Sequence, residues 1–145
     1  MYTYLWRATP YPALAVFDAA DGFSACTRRL RSNTPLQALT LLNDEACVEM
    51  AQALSARILK EGPKTDTDQI ALAFRLCLAR QPAPAEKQRL AELLHKELGA
   101  LKQAPKEAAA LAGQKADSKT DPTQLAALTT ISRVLLNLDE TITRE

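Results

Sequence analysis

Leucines and alanines recur at every third or fourth position over most of the chain, with charged residues between them. That period places the apolar side chains on one face of a helix, so the pattern predicts a series of amphipathic helices. One begins at Ser32-Asn33-Thr34-Pro35, where Asn33 or Thr34 can cap the free N–H groups and Pro35 suits the first helical position. Leu36, Leu39 and Leu42 follow at helical spacing, and Asn43-Asp44 marks a break or a second cap. Glu45 to Lys60 continues as helix with Cys47, Met50, Leu54 and Ile58 facing inward, until Gly62-Pro63 stops it. The next helix starts near Asp66, with Gln69 in capping-box position and Ile70, Phe74, Cys77 and Leu78 as its stripe; Arg80-Gln81-Pro82 ends it. Pro84 opens another, with Glu86 in its first turn, where a carboxylate suits the helix dipole, and Leu90, Leu93, Leu94, Leu98 and Leu101 buried. Residues 102–121 are rich in Lys, Ala, Gln and Asp and predict an exposed, flexible connection, with at most a short helix at 106–112. Asp121-Pro122 then repeats the cap-and-proline signature ahead of Leu125, Leu128, Ser132, Leu135 and Leu136. No segment alternates as a strand would. The predicted class is all-α: an irregular bundle of about five helices over residues 33–145.

Residues 1–32 break the pattern and predict an extended, irregular N-terminal arm. Tyr2, Tyr4, Trp6 and Tyr11 crowd it with aromatic area beside Pro10 and Pro12. Such rings can stack on a sugar, but their setting suits packing against upstream sequence better. On that reading Met1 is an internal boundary of a larger protein.

Net charge changes the functional range more than it changes the fold. Eighteen basic and 17 acidic residues leave a formal charge of +1, which argues against nucleic-acid binding and against a polybasic membrane anchor. No apolar run approaches the ~20 residues needed to span a bilayer. The opening residues lack the charged start and apolar core of a signal peptide, so as a complete protein the chain would be cytosolic. Cys26, Cys47 and Cys77 form no Cys-x-x-Cys, Cys-x-x-Cys-His or zinc-type spacing, and no cofactor is expected in this chain. Cys47 and Cys77 read as core residues, whereas Cys26, in an arginine-rich stretch, is either structural or a reactive or disulfide-linked thiol.

The candidate chemistry is thin. Arg28, Arg29 and Arg31 precede a helix start and could form an anion pocket; equally, they could pair with Asp18, Asp44, Asp139 or Glu140 and fix the arm to the bundle. Two of those carboxylates could serve a glycosidase, but no spacing selects a pair, and Asp44 is better explained as a cap. His95, the single histidine, reads as a surface residue with no orienting partner.

Several stretches together resemble one family. Phe17-Asp18-Ala19, Cys26-Thr27-Arg28-Arg29, Ser32-Asn33-Thr34-Pro35-Leu36-Gln37-Ala38-Leu39 and Leu42-Asn43-Asp44 resemble the signature of domain of unknown function 1553. Arg80-Gln81-Pro82 with Glu86 resembles its middle turn, although Ala83 stands where the family often has Ser or Thr. Leu136-Asn137-Leu138-Asp139-Glu140 resembles its end. This is the planctomycete-type C-terminal domain found with planctomycete cytochrome c modules. The resemblance implies the C-terminal part of a larger exported protein of the periplasm or envelope. Its partners would be the upstream domains of the parent and a c-type cytochrome module. The expectation is therefore a non-catalytic helical scaffold and interaction module, with Tyr2, Tyr4, Trp6 and Tyr11 as contacts. The alternative is part of an enzyme or binding domain acting on anionic polysaccharide, with Arg28, Arg29 and Arg31 holding substrate and Asp18 or Asp44 assisting.

Overall fold

A computed structural model describes residues 9–20, 25–28, 32–63, 65–113 and 120–142. Among these, every regular element is helical: α1 (Pro12–Val16), α2 (Pro35–Asn43), α3 (Glu45–Glu61), α4 (Asp66–Leu78), α5 (Pro84–Gln103), α6 (Pro105–Ala112), α7 (Pro122–Leu136) and α8 (Asp139–Ile142). The all-α expectation holds. The five predicted helices are α2, α3, α4, α5 and α7, and the three extra ones are short. No helix among the described residues is long and apolar enough to cross a membrane. The chain forms two compact units, residues 1–40 and residues 41–145.

In the second unit α7 is the central element. Leu125, Ala126, Ala127, Leu128, Thr129, Ile131, Ser132 and Leu135 are all buried, so this helix is enclosed on almost every side rather than along one stripe. Helices α3, α5 and α6 pack around it, and α4 packs against α5. Asp121 starts α7 by accepting a hydrogen bond from the Thr123 N–H at 2.9 Å, and Asp44 starts α3 by accepting from Ala46 N–H at 3.0 Å. Each satisfies a backbone donor that the helix itself cannot.

The inward face of α3 keeps the expected Ile58 and Leu54 but not Met50. Ala51, Gln52, Ser55 and Ile58 are buried, whereas Met50 is 55% exposed. Small residues let the two backbones approach: Ser55 Oγ lies 2.9 Å from Ser132 Oγ on α7 and also donates to Ala51 O at 2.7 Å. A count of large apolar residues misses such a face, because close crossings are made by Ala and Ser. Gln69 also departs from its expected box role. Its amide donates to Pro63 O at 3.1 Å, and Thr65 stands at the N-cap of α4, its hydroxyl donating to Asp68 at 2.5 Å. Burial pushes the Cys77 thiol up. Burial, then the Asp44 charge, does the same for Cys47, which leaves both poor nucleophiles.

The short helix expected at 106–112 forms as α6 and is packed rather than exposed. Ala108 and Ala112 are buried against the core. The Gln52 amide donates to Leu111 O at 2.9 Å, satisfying a carbonyl that the end of α6 leaves free. Gly113 follows at φ 60°, ψ −158°, a conformation essentially confined to glycine. A Cβ there would also lie 2.6 Å from Gln52 Nε2. Gly113→Ala is therefore expected to destabilise the second unit by about 1–3 kcal/mol, measured by denaturant unfolding. An unchanged midpoint would contradict this end of α6.

Candidate functional site

Two polar clusters stand out, one in each unit, and both contain residues of the family-like motifs. The first is built from Thr34-Pro35-Leu36-Gln37. Thr34 and Gln37 cap α2 reciprocally: Gln37 N–H donates to Thr34 Oγ1 at 3.3 Å, and Thr34 N–H donates to Gln37 Oε1 at 3.1 Å. This is a capping box with glutamine in the third helical position. The box holds the Gln37 side chain inward, where it is 1% exposed. Its amide then donates to Val16 O and to Ser32 Oγ, each at 2.9 Å, with a longer contact of 3.4 Å to Asp18 Oδ2. Asp18, at φ 55°, accepts from Ser32 N–H at 3.1 Å and from Ser32 Oγ–H at 2.5 Å. Asp18, Ser32 and Gln37 thus tie the end of α1 to the start of α2.

The second cluster centres on Arg80. Ala79 takes the left-handed conformation at the end of α4 (φ 57°), and Arg80 follows with its guanidinium carbon 5.2 Å from the centroid of the Phe74 ring. Arg80 grips Glu86 through Nη1 and Nη2, both at 2.8 Å, and Glu140 through Nε and Nη2, both at 2.8 Å. Glu86 also accepts from Ala83 N–H at 2.7 Å, supplying the half of a capping box that alanine leaves open to it. Hydrogen bonds from Arg80, then from Ala83, hold the Glu86 carboxyl down at about 2. The same guanidinium lowers Glu140, and the two carboxylates raise Arg80 above its ordinary value. All three remain charged at neutral pH, so this is an ion-pair knot joining α4, α5 and α8, with no group poised to move a proton. The signal for it was present in Arg80-Gln81-Pro82, Glu86 and Glu140. No local pattern joins them, because 60 residues separate Arg80 from Glu140.

The expected site residues fall in both units. Asp44 is occupied in capping α3, and Asp18 is engaged by Ser32 and Gln37. Arg28 is exposed and makes no ion pair among the described residues; Arg29 and Arg31 lie outside them. Of the carboxylates offered as arginine partners, Glu140 pairs with Arg80. Tyr11 is 54% exposed, and Tyr2, Tyr4 and Trp6 lie outside the described residues. His95 sits on the surface 3.4 Å from Asp66, and Cys26 is exposed. A family model described as protein of unknown function (DUF1553), with the short name PSD1, matches residues 1–94. No curated protein and no solved structure matches the chain.

Proposed function

Since the chain belongs to the DUF1553 family of proteins of unknown function, we propose that it is a non-catalytic helical scaffold and docking module of a larger exported protein. One observation carries this reading: in the first unit the signature glutamine is buried on its own backbone while large apolar side chains face outward. Gln37 is buried, while Tyr11, Leu14 and Leu36 are 54%, 45% and 57% exposed. A catalytic site also needs a few polar groups aimed at the substrate, and Gln37 is turned to the backbone instead. Exposed clusters of large apolar side chains mark contact surfaces. The partners proposed are the upstream domains of the parent protein and a c-type cytochrome module, in the periplasm or envelope. Both rest on the family resemblance. The chain carries no Cys-x-x-Cys-His, so the haem would belong to the neighbouring module.

A photo-crosslinking amino acid placed at Leu36 in the full-length protein tests the docking face. Cross-linked peptides from sequence outside these 145 residues are expected. Labelling by solvent alone would contradict it. The exposed Arg28 favours one competing reading, a site for anionic polysaccharide. Titrating the parent with sulfated and uronic oligosaccharides is expected to give no saturable binding. Saturable binding that Arg28→Ala abolishes would replace the scaffold reading.

A further inference from the structure

We propose that Arg133 and Asn137 together bind one internal water molecule at the corner where α2 meets α3. Arg133 Nη2 donates to Leu42 O in the last turn of α2, where a cation also suits the dipole of the helix end. Its Nε is buried and makes no hydrogen bond among the described residues, and the same holds for Asn137 Oδ1. One of these atoms is a donor and the other an acceptor. Asn137 is the C-cap of α7, one turn beyond Arg133, and its N–H donates to Arg133 O, which keeps the two residues adjacent at the end of the helix. Leaving each unmade would cost as much as a buried orphan of its kind, and one water can accept from Nε–H while donating to Oδ1. The water completes a polar clamp that fixes the α2–α3 corner on α7, independently of the docking reading above.

A crystal structure of the full chain with ordered solvent tests this. The expected result is one solvent peak within hydrogen-bonding distance of both atoms, matched in solution by a long-lived water cross-peak at the Arg133 Nε–H. The peak should vanish in Asn137→Leu. A direct Nε–H···Oδ1 bond, another protein acceptor on Nε, or a rapidly exchanging Nε–H would overturn the proposal. The unsubstituted chain decides it even if the variant does not fold.

Discussion

Phe74→Ala is expected to lower the unfolding free energy of the second unit by about 3–5 kcal/mol, the usual cost of emptying a phenylalanine site in a core. Phe74 is 2% exposed and belongs to the core cluster that includes Ile70, Leu90, Leu94 and Leu128. Its ring also lies under the Arg80 guanidinium, so the substitution removes the base on which the ion-pair knot is oriented. Domains of this size hold only about 5–15 kcal/mol in all, so the variant should sit near the edge of folding. Equilibrium denaturant unfolding measures it. A loss under about 1 kcal/mol would mean that the site collapses freely and that the core is not packed as described.

Arg80→Met is expected to release α8. Methionine keeps much of the stem's packing and removes every guanidinium donor to Glu86 and Glu140, leaving Glu86 only the Ala83 N–H. Hydrogen exchange at Thr141, whose N–H donates to Leu138 O at 2.9 Å, should then approach that of a frayed chain end. The effect carries a pH signature. Glu86 has a folded-state pKa of about 2 against 4.5 for an unperturbed carboxyl, so the folded state binds fewer protons between those values. The stabilisation is therefore complete above pH 4.5 and drains away as pH falls toward 2; Glu140 acts in the same direction. The parent and Arg80→Met should differ most above pH 4.5 and converge in acid. The side chains are a third or more exposed, so added salt should also narrow the gap. A difference that grows on acidification would contradict the knot.

The helices that could be read from the sequence are those whose apolar stripe and caps agree. Asp44 and Asp121 announced α3 and α7 because a short acceptor before a helical run has one obvious partner, the free N–H two residues on. Other features were hidden for physical reasons. Met50 was expected inside and Ser55 was not, since the α3–α7 crossing is set by how closely backbones can approach. Residues 105–112 read as a connection because Lys106 and Glu107 are polar, while the contact is made by the methyl groups of Ala108 and Ala112. Local sequence exposed Thr34 as a cap but could not show where the Gln37 side chain goes, because its other partners lie at Val16, Asp18 and Ser32. The family-like motif is thus legible as a pattern, and its role as an internal tie between α1 and α2 emerges only in three dimensions.

The central claim is that these signature polar groups hold the chain's own backbone. Native-state hydrogen exchange of the α2 amides in Gln37→Met tests it most directly. The substitution preserves side-chain volume but deprives the half-buried Val16 O and Ser32 Oγ of a donor. The account predicts that local opening becomes easier by about 1–3 kcal/mol, the cost of orphaned buried groups. Protection equal to or greater than that of the parent chain would show the opposite: polar residues kept for a ligand at the expense of stability.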